Sequence, residues 1–124
     1  MKFCQDNNIS VTAYAPLGSR GFVEKVGKED IVPDLLQNLT VLEVADKYEK
    51  TPAQILLKHI IQKGIATIPK STNPSRIQEN IELFDWELEA EDIDKLNALD
   101  MGESARICDF SFFEGLSKHP EFPF

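Results

Sequence analysis

Apolar residues fall into short blocks along the chain, and their spacing changes from block to block. The run ISVTAYAPL, Ile9 to Leu17, is nearly continuous, rich in β-branched and aromatic residues, and stopped by Pro16-Leu17-Gly18. Because it does not alternate, residues 10–15 read as a strand buried on both faces. Lys2 to Asp6 read as the last turn of a helix, with Asn7-Asn8 as the turn. Residues 18–38 read as a loop, punctuated by Gly18, Gly21, Gly27 and Pro33, and so long a loop inside a compact domain points to function. Val41, Leu42, Val44, Ala45 and Tyr48 then recur at helical spacing. Thr51-Pro52-Ala53-Gln54 opens a further helix: Thr51 caps it, Pro52 suits its first turn and Gln54 completes a capping box. That helix carries Ile55, Leu56, His59 and Ile60 and stops at Gly64. A second short apolar run, Ile65 to Ile68, ends at Pro69. Asn73-Pro74 starts another helix with Ile77, Ile81 and Phe84 on one face. The last helix covers residues 90–99, with Ile93, Leu96 and Leu99 inward. Beyond it the tail has no clear period and holds five of the eight phenylalanines, Phe110, Phe112, Phe113, Phe122 and Phe124.

Strands separated by helices imply a parallel sheet with right-handed crossovers. Two strands are too few for one, and each expects neighbours on both edges. The class is therefore α/β, with the pattern of the final β/α units of a (β/α)8 TIM barrel that this chain leaves incomplete. Such a barrel takes about 250 residues. Residues 1–124 read as a single partial domain, with a C-terminal loop from about residue 100.

Composition narrows the partners. The chain of 124 residues carries 13 Lys plus Arg against 21 Asp plus Glu, a formal charge of −8. That balance argues against nucleic acid or an anionic membrane as the main partner, but it leaves room for a local basic cluster that holds one phosphate. Cys4 and Cys108 form no zinc spacing and no disulfide framework, so reduced thiols in a cytoplasmic protein are expected. No apolar run approaches the roughly 20 residues that span a bilayer, and the first residues lack the apolar stretch of a signal peptide.

In α/β proteins ligands sit at the C-terminal ends of parallel strands. Two segments qualify: Tyr14 to Arg20 and Pro69 to Arg76, the latter with Glu79-Asn80 one turn on. Lys70 and Arg76 can clamp a phosphate, Arg76 in bidentate fashion. Glu79 and Asn80 can hydrogen-bond the edge of a base. The competing view is a helix cap with solvated charges around it. Tyr14 can offer its ring face to a bound aromatic group, or it can be a packed tyrosine. His59 falls on an apolar helix face and reads as packing, as does Trp86. His119 lies in the tail. Glu87, Glu89, Glu91 and Asp92 read as a solvated acidic face at a helix start, and the cysteines as inert thiols.

YAPLGSRG after a strand, followed by IPKSTNPSRIQEN, resembles the C-terminal part of an aldo-keto reductase. The resemblance runs from about residue 2 to the end of the chain. It implies a (β/α)8 barrel that binds NADP(H) without a Rossmann fingerprint and reduces a carbonyl substrate. Tyr14 then corresponds to the tyrosine stacked on the nicotinamide ring. Leu17 and Ser19 correspond to pyrophosphate contacts, with the loop after Ser19 closing over the cofactor. Lys70, Ser71 and Arg76 match the group around the adenosine 2′-phosphate, lined by Thr72 and Asn73, and Glu79 and Asn80 match the adenine contacts. Arg106, Ile107, Cys108, Phe110, Phe112 and Phe113 align with the loop that shapes the substrate pocket. Gly21 stands where several members carry an acidic residue that fastens the loop. The family's catalytic Asp, Tyr, Lys and His lie in the first half of the barrel and find no counterpart here. The resemblance therefore implies a cofactor-binding portion that is inactive alone. The alternative is a non-enzymatic fragment that binds nucleotide or pairs with another barrel half, self-associating through its open strand edges.

Overall fold

The computed structural model describes residues 1–108, 110 and 113–122. Its helices are α1 (Lys2–Asp6), α2 (Arg20–Lys25), α3 (Leu39–Tyr48), α4 (Pro52–Gln62), α5 (Pro74–Glu79) and α6 (Ala90–Asn97). Strands β1 (Thr12–Ala13) and β2 (Ala66–Thr67) pair in parallel, with Thr12 opposite Ala66 and Ala13 opposite Thr67. Among the described residues no helix is long and apolar enough to cross a membrane.

Local sequence accounts for the helix ends. Asn38 accepts from the backbone N–H groups of Thr40 and Val41 and starts α3. Thr51 and Gln54 form the full capping box of α4, with Pro52 at its first position. Gly64 follows α4 with φ +73, a left-handed conformation that glycine takes without strain. Asn73 caps α5, and Pro74 follows it.

The packed centre lies among helices rather than on the sheet. Val41, Val44 and Ala45 of α3, Ile55 and Leu56 of α4, Leu96 of α6 and the nearby Leu88 form one buried cluster. Leu17, Leu35, Tyr48, Trp86 and Ile93 pack around it.

Five expectations need correction. The first strand does not span residues 10–15, nor is it buried on both faces. It shortens to Thr12–Ala13, with Thr12 exposed and Ala13 half-buried. The backbone turns at Ala15, whose φ is +49. The outer edges of both strands also lack a neighbour among the described residues. Residues 18–38 are not wholly loop. They contain α2, stabilised by an Arg20–Glu24 ion pair at 3.0 Å, and a 3-10 turn over Leu35–Gln37 capped by Asp34. The helix opened by Asn73-Pro74 does not carry Ile77, Ile81 and Phe84 along one face: α5 ends at Glu79, and these side chains are 53%, 63% and 74% exposed. They line one hollow with Ala66 and Thr67 of β2. Finally, Asp92 does not belong to a solvated face. It is 1% exposed and accepts from Lys47 Nζ at 2.6 Å, the Tyr48 hydroxyl at 2.8 Å and Lys95 Nζ at 3.1 Å.

Candidate functional site

The segments that follow β1 and β2 open onto one cleft of about 930 Å³, a volume typical of small-molecule sites. Ala15, Pro16, Leu17 and Ser19 after β1 contribute one part of its lining, and Pro69, Lys70 and Ser71 after β2 another. Arg76, Glu79 and Asn80 reach it from α5. The turn after β1 is unusual: Ala15, Gly18 and Ser19 all have positive φ, and the Gly18 N–H bonds the Ala15 carbonyl at 3.0 Å. Two non-glycine residues in that region carry a backbone cost, borne where surrounding structure fixes a functional loop.

The polar groups of the cleft differ in how they are engaged. Among the described residues neither Lys70 nor Arg76 has an ion-pair partner. Glu79 accepts from the Ser75 hydroxyl at 3.2 Å. Ser71 Oγ accepts the Asn73 N–H at 3.2 Å. The Asn73 side-chain oxygen accepts from the N–H groups of Ser75 at 2.9 Å and Arg76 at 3.3 Å, so it works as a helix cap. Seven of the predicted residues therefore meet in the cleft: Leu17, Ser19, Lys70, Ser71, Arg76, Glu79 and Asn80. Tyr14, Thr72 and Asn73 lie outside its lining.

Tyr14 is 65% exposed. Hydrogen bonding and electrostatics from Cys108 hold its phenol above the ordinary pKa, with burial acting the same way and Arg106 opposing. This contact brings the tail to the end of β1. A second tie runs from Lys28 Nζ to the Arg106 carbonyl at 3.1 Å. Arg106, Ile107 and Cys108 are half-buried, while Phe110 and Phe113 are exposed. Phe112 lies outside the described residues. Both cysteines are unpaired.

Sequence reasoning missed part of the lining. Phe22 of α2, Leu36 and Gln37, and Thr51, Pro52 and Ala53 at the start of α4 all face the cleft, beside Arg20 at the end of the first qualifying segment. The TPAQ motif announced a helix start, but nothing local says what a helix start faces.

The remaining histidine and tyrosine candidates point elsewhere. His59 Nε2 pairs with Asn97 Oδ1 at 2.9 Å, and burial holds the imidazole below its usual pKa against the opposing effect of Asn97. The Tyr48 hydroxyl donates to Asp92 and accepts the Glu89 N–H, both at 2.8 Å. Neither residue lines the cleft.

Residues 1–101 match the family described as the Aldo/keto reductase family. The chain belongs to it. This aldo/keto reductase chain is similar to a probable NAD(P)H-dependent D-xylose reductase of Aspergillus terreus, 44% identical over 103 residues, covering 82% of the chain and 32% of that protein. It is 45% identical over 106 residues to aldose reductase B of Dictyostelium discoideum, covering 86% of the chain and 30% of that protein. It thus spans about a third of the length of the curated relatives it matches. Among solved structures it resembles the aldose reductase of Schistosoma japonicum, with a TM-score of 0.77 at 35% identity, over 99% of this chain and 34% of that one. The two parallel strands and their helices are accordingly β/α units of an incomplete (β/α)8 barrel, as the order of elements anticipated.

Proposed function

We propose that this aldo/keto reductase chain is the cofactor-binding C-terminal portion of an NADP(H)-dependent enzyme that reduces aldehydes and ketones to alcohols. The observation that carries this reading is the pairing of Lys70 and Arg76 in one cleft, with no carboxylate bound to either among the described residues. Two uncompensated cations suit a doubly charged phosphate monoester such as a ribose 2′-phosphate. Ser71 adds a hydroxyl beside them. Glu79 and Asn80 offer an acceptor and an amide to the polar edge of adenine. Leu17 and Ser19, on the turn after β1, would meet the pyrophosphate, and Tyr14 the nicotinamide. Thr72 and Asn73 border the phosphate end. The printed names of the Aspergillus relatives include NAD(P)H dependence, which supports a nicotinamide cofactor. The chemistry such a cofactor supplies when bound is a hydride.

The tail, from Arg106 through Cys108 to Phe113, would shape the pocket for a carbonyl substrate with an apolar body. The chain alone is not catalytic on this reading. Its tyrosines and His59 are committed to Cys108, Asp92 and Asn97, and none is a free acid in the cleft. The unpaired thiols suit a reducing compartment such as the cytoplasm. Titration of the purified chain with NADPH, followed by Trp86 fluorescence, should give saturable binding. No binding overturns the cofactor assignment, and consumption of NADPH with an aldehyde overturns the absence of catalysis.

A further inference from the structure

Gln54 is 4% exposed, and both ends of its amide are in use. Its Oε1 accepts from the Thr51 backbone N–H at 3.0 Å and the Thr51 hydroxyl at 3.3 Å. Its Nε2 donates to the carbonyls of Glu79 at 3.1 Å and Glu82 at 3.4 Å. A capping box needs only the oxygen, and glutamate serves it equally well. The amide nitrogen therefore does something the box does not require: it ties the start of α4 to the end of α5.

That tie matters because α5 has little else to hold it. The helix PSRIQE contains no buried residue, so apolar packing fixes its position only weakly. The bond from Gln54 lands on the backbone of Glu79, whose neighbour Asn80 lines the cleft with it, together with Arg76 one turn earlier. At the other end of the tie Thr51, Pro52 and Ala53 line the same cleft. One buried amide thus sets the separation of two parts of the lining.

We infer that Gln54 is a positioning residue for the nucleotide. It touches no ligand itself but holds Arg76, Glu79 and Asn80 in register with the start of α4. The inference rests on the nucleotide-binding reading given above. Gln62 supplies the control. It lies at the other end of α4, outside the cleft lining, and makes the same kind of link, with its Nε2 donating to the Leu88 carbonyl at 3.1 Å and its Oε1 accepting the Leu88 N–H at 2.7 Å.

The test measures Kd for NADP+ and for adenosine 2′,5′-bisphosphate, with melting temperature, on the 124-residue chain. Gln54→Met and Gln62→Met should both lower the melting temperature. Only Gln54→Met should weaken both ligands, by about tenfold, the loss of one buried hydrogen bond's worth of placement. Equal affinity of Gln54→Met and the parent chain overturns the inference and leaves the cofactor reading standing. Equal weakening by the two variants also overturns it, because the effect is then general destabilisation. Failure of the parent chain to bind either ligand overturns the cofactor reading and this inference with it. If Gln54→Met does not fold, Gln54→Glu takes its place, since it keeps the capping oxygen. Its affinity relative to the parent chain should recover as pH falls from 7 to about 4, through the glutamate range, because a protonated carboxyl can again donate to the Glu79 carbonyl. A ratio that stays flat with pH overturns the inference.

Discussion

Single side chains decide the charge chemistry of this molecule, and Lys70 and Arg76 decide it at the cleft. If they meet a 2′-phosphate, Lys70→Ala and Arg76→Ala should each weaken NADPH by about tenfold or more, with a smaller change for NADH, since a charge-assisted hydrogen bond is lost with only the first cofactor. Comparative titration with the two cofactors reads this directly, and equal losses for both would contradict the assignment. Asp92 carries the other charge effect. Hydrogen bonding from Lys47 holds its carboxyl down at about 2 from 3.8, helped by Tyr48 and Lys95 against the opposing cost of burial. A carboxylate depressed in the folded state stabilises the fold above its unfolded pKa and loses that contribution as pH falls through the folded value. The melting temperature of the chain should therefore drop between about pH 4 and pH 2. Asp92→Asn should be less stable than the parent chain by several degrees at neutral pH and should show a flatter acid limb. Unchanged acid sensitivity in the variant would assign the effect to other carboxylates.

Elements were legible in the sequence where their signals are local. The capping box of Thr51 and Gln54, the cap at Asn73 and the stop at Gly64 each involve residues within a few positions, and each forms as read. Asn73→Ala should cost about 1 kcal/mol by freeing two backbone donors at the start of α5, measurable by urea unfolding and visible as faster amide exchange over Ser75 and Arg76. No change in either would show that the turn around Ser71 holds the helix without its cap. Signals that depend on distant partners were not legible. Asp92 sits in an acidic run that looks solvated, and its partners Lys47 and Tyr48 lie more than forty positions earlier. The first strand shortened because strand length depends on pairing, and only one pairing is present among the described residues. The candidate site divides in the same way. The motif segments after each strand converge on the cleft as expected, whereas the contributions of Phe22, Leu36, Gln37 and the start of α4 follow from chain crossings that no local pattern encodes.

At the scale of the whole molecule the helix-centred core contrasts with a bare sheet. Val41, Ile55 and Leu57 are fully buried, so α3 and α4 have the packing of a finished protein. Beside them Ile68, Ile77, Ile81 and Phe84 are each more than half exposed, and the last three share a hollow with β2. Contiguous apolar surface next to an unpaired strand edge favours association, because the edge offers backbone partners and the side chains gain by leaving water. We propose that the isolated 124-residue chain self-associates through this region. Light scattering after size exclusion should show species larger than a monomer, their share rising with concentration. Ile81→Lys combined with Phe84→Lys should return the chain to a monomer with little loss of melting temperature, because both side chains are already exposed. A parent chain that stays monomeric at high concentration removes the proposal. Persistent oligomers in the double variant would move the interface elsewhere, for example to the exposed Met1, Phe3 and Ile9 near the other strand.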